Sequence, residues 1–190
     1  MGILSAIRPV IAGRVISNKS LTAKEYVFRI SSNSLFTAAA ERVGRIAEAI
    51  ATPQDVVDMM ANGFDGAQVG TRFICTEESG IDPASKQVYV KAKEEDIVLM
   101  HSPIGLPVKV LRTPLVDKLL RGEQIPFGCP FLCLRSCEAD KAKFCIAEAL
   151  VHTMFGETDK GLFMVGSANG RINDIIPVEE FLGPLRRMAE

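Results

Sequence analysis

Between Ile46 and Thr71 the chain is written as strand, helix, strand and turn, and no other stretch restricts the fold as much. Ile46-Ala47-Glu48-Ala49-Ile50 suits a short strand. Thr52-Pro53-Gln54-Asp55 is a helix start, with threonine as N-cap, proline at the first position where its missing N–H is no loss, and aspartate near the positive end of the dipole. Val56, Met59 and Met60 then share a face before Gly63, which can close the helix in the left-handed conformation. Ala67 to Val69 reads as a short buried strand, and Gly70-Thr71 as a turn where backbone N–H groups can face an anion. Strand, helix, strand is the repeating unit of a parallel α/β fold. By itself the Gly-Thr pair is more often a plain connection than a binding site, since such short motifs are permissive.

Further along, Asp82-Pro83 is a second cap-plus-proline start, predicting a helix to about Asp96 with Ala84, Val88 and Ala92 on its inner face. Ile97 to Met100 and Val108 to Leu111 read as strands, and Thr113-Pro114 opens a helix through Leu120 that Gly122 ends. A helix from about Ala139 to Met154 is expected, then a strand-like Leu162 to Val165 and a turn from Gly166 to Gly170. The last helix starts at Val178, with Phe181, Leu182, Leu185 and Met188 at helical spacing, and Gly183-Pro184 should kink or restart it. Residues 1 to 45 carry no sustained apolar period.

A chain of 190 residues with 47% hydrophobic content can bury one real core. A net charge of -1 leaves no basic surplus for phosphate-backbone binding, so nucleic acid is not an expected partner. No apolar run approaches the ~18 residues of a membrane span, and no secretion signal opens the chain, so a cytoplasmic protein is expected. Five cysteines then read as thiols or metal ligands rather than disulfides.

The longer string Gly63-Phe64-Asp65-Gly66-Ala67-Gln68-Val69-Gly70-Thr71-Arg72-Phe73 resembles the nitronate monooxygenase family, formerly 2-nitropropane dioxygenases, which also includes flavin-dependent enoyl-acyl-carrier-protein reductases. The resemblance continues through Thr76-Glu77-Glu78-Ser79, Lys91 to Asp96 and Gly105 to Arg112, covering about residues 46 to 190. It implies an α/β fold: a partial TIM-type barrel over 46–122, contributing the last two strand-helix units, then a mostly helical, cysteine-containing C-terminal extension over 123–190. Residues 1–45 stay an unassigned lead-in. A complete (β/α)8 barrel needs ~250 residues, so the chain is expected to be the C-terminal portion of a larger enzyme.

The same resemblance implies FMN as cofactor, with Gln68, Val69, Gly70 and Thr71 lining its phosphate site. The family's glycine pair on the preceding strand falls near Ala49, whose methyl group disfavours positive φ and puts close backbone approach in doubt. The implied reaction is oxidation of alkyl nitronates with oxygen, and the alternative is the reductase branch using NAD(P)H on an enoyl thioester. No catalytic base carries over, because the family's histidine lies on an earlier strand and neither His101 nor His152 matches its motif. Arg72 reads equally as a phosphate counter-charge or as a salt-bridge partner of Glu77 or Glu78.

Cys129, Cys133, Cys137 and Cys145 form an x3, x3, x7 series. On one continuous helix the first three drift only ~40° per step, whereas Cys145 lies ~160° from Cys129, so a four-ligand site requires a bend between Cys137 and Cys145. A metal or iron-sulfur site and a set of buried reduced thiols are both open, and Cys75 reads as core. A non-catalytic metal-binding or assembly module, with these cysteines as its working part, is the reading from another class. An incomplete barrel would expose a strand edge and apolar faces, so self-association or a second chain completing the barrel is expected.

Overall fold

The computed structural model describes residues 46–47, 49–64, 66–129, 133 and 137–189. The lead-in over 1–45 lies outside them, as does the side chain of Met188. Two compact units emerge, one built from the described residues up to Gly80 together with those from Asp174 onward, the other from Ile81 to Asn173. Residues 81–122 and 123–173 therefore share a unit.

In the first unit, β1 (Ile46–Ala47) pairs in parallel with β2 (Gly66–Ala67), Ile46 opposite Gly66 and Ala47 opposite Ala67. The crossover between them is α1 (Pro53–Ala61), whose start is held by a reciprocal capping box: Asp55 N–H donates to Thr52 Oγ1, and Thr52 N–H donates to the Asp55 carboxylate. Asn62 caps the helix and Gly63 follows at φ 82°. Both strands are shorter than expected. Past β2, Gly70 accepts the Phe73 N–H at 2.9 Å and opens α2 (Thr71–Ile74).

The same unit is closed by α6 (Val178–Ala189), which runs through Pro184 as one helix rather than restarting there. Proline removes one amide from the ladder, and packing of Phe181, Leu182 and Leu185, all at most 5% exposed, carries the helix across that gap. These three join Ile50, Val56, Val69 and Phe73 in one apolar cluster. Phe73 and Phe181 meet edge-to-face with ring centroids 5.3 Å apart. Main-chain bonds from Glu77 N–H to Ile176 O and from Ile176 N–H to Cys75 O lay the incoming segment beside residues 75–77. The Glu78 carboxylate accepts the Val178 N–H at 2.9 and 3.0 Å, placing negative charge at the positive end of α6.

The second unit begins with α3 (Pro83–Lys91), capped by the Asp82 carboxylate on Ala84 N–H. It stops five residues before the expected end, giving way to a short 3-10 turn over Glu94–Asp96. Its buried face is Ser85, Lys86 and Tyr89, displaced by one position from the Ala84, Val88, Ala92 stripe that periodicity suggests. Polar anchoring decides this: Ser85 Oγ donates to Thr153 O at 2.6 Å, and the Tyr89 carbonyl accepts from the fully buried Asn169 amide at 3.2 Å.

Strands β3 (Ile97–His101) and β4 (Pro107–Leu111) then form an antiparallel hairpin with Ile97 opposite Leu111 and His101 opposite Pro107. Its turn is tied by Ser102 N–H to Leu106 O and by Gly105 N–H to Ser102 O, with Gly105 at φ 83°. Helix α4 (Pro114–Leu120) starts on Thr113 and ends before Gly122 at φ 84°, matching its sequence signals. Helix α5 (Ile146–Met154) is shorter than the expected 139–154, because Cys145 takes an extended conformation and serves as its N-cap. The hairpin, α4 and α5 share a core including Met100, Val108, Val110, Val116, Leu119, Phe144 and Leu162. The strand-like Leu162 to Val165 is realised as a single bridge between Val110 and Met164.

No helix among the described residues is long and apolar enough to cross a membrane.

Truncating Phe181 to alanine is expected to cost about 3–5 kcal/mol in urea unfolding. Phe73→Ala acts on the same contact, so the double variant should lose measurably less than the two single losses added together.

Candidate active site

The parallel register brings the C-terminal ends of β1 and β2 side by side, and the segments leaving those ends are Ala49 to Ala51 and Gln68 to Thr71. Five of the residues singled out from sequence, Ala49, Gln68, Val69, Gly70 and Thr71, therefore belong to two adjoining strand ends. In open and closed parallel sheets alike, this is the end at which ligands bind.

Each residue has a distinct place there. Val69 is 1% exposed and belongs to the apolar cluster, so its side chain anchors the turn from below. Thr71 is buried, Gln68 half-buried, and Gly70 exposed. A Cβ added at Gly70 would meet no heavy atom within 4 Å, so the backbone here can be approached closely from solvent. Helix α2 is a single turn whose Phe73 and Ile74 N–H groups both donate to Gly70 O, at 2.9 and 3.3 Å.

Ala49 corrects the sequence-based expectation. It holds φ 64°, the one non-glycine residue in the left-handed region among the described residues. The methyl group has not kept the backbone out of that conformation. Left-handed φ costs an L-residue ~1–2 kcal/mol, so the surrounding chain, including the Ala51 N–H bond to the Asp55 carboxylate at 2.8 Å, imposes it.

Arg72 resolves differently from either sequence reading. Its side chain is 4% exposed and pairs through Nη1 with Asp174 Oδ1 at 2.5 Å, while Nη2 donates to the carbonyls of Cys75 and Asp174 at 2.6 and 2.7 Å. Neither Glu77 nor Glu78 is its salt-bridge partner; Glu78 caps α6 instead. The arginine is thus a clasp directly behind the turn. Asp174, 102 residues away, has no local signal that sequence reasoning could have caught.

The cysteines are all free thiols. Cys75 is fully buried, as expected of a core residue, whereas Cys129, Cys137 and Cys145 are half-buried and Cys133 is exposed. Cys145 Sγ accepts the Glu148 N–H at 3.5 Å. Burial pushes the Cys137 thiol up, and negative charge on Cys129, Cys133 and Cys145 pushes in the same direction. Among the described residues, no group of three or more His, Cys, Asp or Glu is gathered so as to hold a metal ion. His152 lies on α5 between Glu148 and Glu157, and His101 ends β3; neither adjoins the Gly70 turn in sequence.

Fold and strand-end geometry define an α/β protein with an open turn at the end of a parallel strand pair. The family model for nitronate monooxygenase matches residues 46–187, and the chain belongs to that family. Over 62 residues it is 39% identical to the (3aS,4S,5R,7aS)-5-hydroxy-7a-methyl-1-oxo-octahydro-1H-indene-4-carboxyl-CoA dehydrogenase of Mycobacterium tuberculosis, covering 33% of this chain and 18% of that protein. Over 141 residues it is 28% identical to Rv1533 of the same organism, named as a monooxygenase, covering 70% of this chain and 37% of that one. In fold it is similar to FabK from Thermotoga maritima, with a TM-score of 0.59 at 24% identity over 86% of this chain and 61% of that chain. Nitroalkane oxidase from Streptomyces ansochromogenes gives a TM-score of 0.54 at 17% identity over 75% of this chain and 38% of that chain. The chain covers less than two thirds of each of these proteins.

Ala49→Gly should raise stability by about 0.5–1 kcal/mol, the left-handed penalty relieved minus the extra backbone entropy of glycine, read as a higher urea midpoint. Iodoacetamide at pH 8 should label Cys137 more slowly than free cysteine in solution, because only the thiolate reacts and the Cys137 thiol is raised. Replacing Cys129 and Cys145 by serine should quicken Cys137 labelling.

Proposed function

We propose that this chain supplies the phosphate end of an FMN site in an oxidoreductase of the nitronate monooxygenase family, built on the closing strands of a TIM-type barrel. The observation that carries this reading is the pairing of a left-handed Ala49 with the open Gly70 turn at two adjoining parallel strand ends, inside the family match over 46–187. The residues present fit the group. Gly70 leaves room for a phosphate oxygen to approach main-chain nitrogen, and a left-handed Ala49 gives the backbone course that a glycine would otherwise provide.

Gln68, Val69, Gly70, Thr71 and Ala49 would hold the cofactor's phosphate. FMN bound there supplies a two-electron redox centre for oxidation of an alkyl nitronate with oxygen. The chain's own contribution is binding and placement. Val69 fixes the turn in the core, and Arg72, spent on Asp174 and two carbonyls, keeps the turn in register with the C-terminal segment instead of contributing free charge. No residue of this chain is assigned as catalytic base.

Gly70→Ala is the direct test, because a methyl group there meets no protein atom but occupies the path of the phosphate. FMN should bind more tightly than riboflavin to the purified protein, as followed by quenching of flavin fluorescence. The substitution should weaken FMN about tenfold, the loss of one charge-assisted hydrogen bond, while leaving riboflavin affinity and the unfolding midpoint unchanged. Equal binding of FMN and riboflavin, or an FMN-to-riboflavin ratio that Gly70→Ala leaves intact, overturns the phosphate assignment. Oxygen consumption with propyl-2-nitronate against NADPH consumption with an enoyl thioester, in FMN-loaded protein, then separates the two branches.

A further inference from the structure

Two bonds at the ends of the β3–β4 hairpin fix which main-chain groups point inward. Arg112 N–H donates to Asp96 O at 2.8 Å and Ser102 N–H to Leu106 O at 2.9 Å, so by the alternation of an antiparallel pair residues 96, 98, 100 and 102 turn their main-chain groups toward β4. Ile97, Leu99 and His101 turn theirs the other way. Pro107 fits this register, since it stands opposite His101, where no N–H is owed to β3. On the far side of β4 the same alternation is answered: Leu111 N–H donates to Phe163 O at 2.9 Å and Lys109 O accepts the Val165 N–H at 3.0 Å.

The outer edge of β3 has no such cover. Ile97 N–H is spent on Glu94 O, but Ile97 O and both main-chain groups of Leu99 and His101 have no hydrogen-bond partner among the described residues. Leu99 is 65% exposed, and Leu99, Met100 and His101 line an open cavity of about 590 Å³, so solvent reaches the strand. Edges of this kind are ordinarily guarded by a lysine, a proline or a bulge. The run Ile97-Val98-Leu99-Met100-His101 has neither residue, and its register with β4 is unbroken through all five positions.

The free groups are disposed symmetrically about Leu99, and that selects the occupant. Set antiparallel against a second copy with Leu99 opposite the partner's Leu99, the edge closes on itself: each Leu99 N–H donates to the other Leu99 O, and each His101 N–H to the other Ile97 O. His101 O then faces the Ile97 N–H already spent on Glu94 O. The two Leu99 side chains stand on one face about 5 Å apart and cover each other, and β3 brings no Asp, Glu, Lys or Arg to the seam. We propose that β3 is the dimer edge of this chain, joining two hairpins about a two-fold axis at Leu99 into one continuous sheet. The contact lies wholly in the second unit and does not depend on the flavin reading.

The test is sedimentation equilibrium of the purified full chain from about 1 μM to about 1 mM. The mass should rise with concentration from 20.6 kDa toward twice that value. In the concentrated sample the Leu99 and His101 amides should exchange with deuterium at least about tenfold more slowly than in the dilute one. Leu99→Lys sets two ammonium groups against each other on the axis and should weaken the dimer at least about tenfold, at an exposed position that leaves the urea midpoint of dilute protein unchanged. Phe155→Lys, which removes an apolar side chain 70% exposed on another element, should leave the dimer intact. A mass of 20.6 kDa at every concentration overturns the proposal. So does a dimer that survives Leu99→Lys, one whose Leu99 amide gains no protection, or one that Phe155→Lys dissociates as fully as Leu99→Lys.

Discussion

Burying a guanidinium is costly unless it is paired and hydrogen-bonded, and Arg72 is the group around which the first unit is arranged. Its carboxylate partner, Asp174, stands 56% exposed, so the pair sits at the boundary between core and solvent; the carbonyls of Cys75 and Asp174 accept from Nη2, while the buried Nε has no hydrogen-bond partner among the described residues. The pairing fixes where residue 174 enters. From that point the chain lies beside residues 75–77, the Glu78 carboxylate receives the first turn of α6, and Phe181 is delivered edge-on to Phe73. The strand-end turn therefore rests on a segment that arrives from far along the sequence.

That dependence explains which parts of the fold were legible beforehand. Helix starts written as Thr-Pro or Asp-Pro are local chemistry, and all three, at Pro53, Pro83 and Pro114, begin where the residues say. Glycine stops at Gly63 and Gly122 are equally local. The inner face of α3 was not legible, because Ser85 and Lys86 are buried by partners elsewhere in the chain, and a hydroxyl bonded to Thr153 O outweighs the periodicity of alanine and valine. Pro184 misled in the other direction: its missing amide argued for a break, yet a buried face with Phe181 and Leu185 on either side keeps one helix. The short α5 shows the same limit, since the residues from 139 onward do not reveal that Cys145 caps it.

For the candidate site, the resemblance pointed to the turn and the facing strand end, and the parallel register sets the strand leading to Ala49 beside the one leading to Gln68–Thr71. What it could not supply was conformation. Alanine's intrinsic preference argues against φ 64°, and only the geometry of the chain around it overrides that preference. In the cysteine series spacing marks a region, while burial, half at Cys129, Cys137 and Cys145 and lost at Cys133, is set by the fold.

The interleaving of the two units has a consequence for the order of events during synthesis. The unit from Ile81 to Asn173 is one uninterrupted stretch and can acquire its contacts as it emerges from the ribosome. The other cannot close until residues beyond Asp174 have been made, because Arg72 waits for a partner 102 positions later. Until then a positively charged side chain and the apolar flank of Phe73 are without their native cover, so the segment that will shape the turn is the last part of the nascent chain to settle.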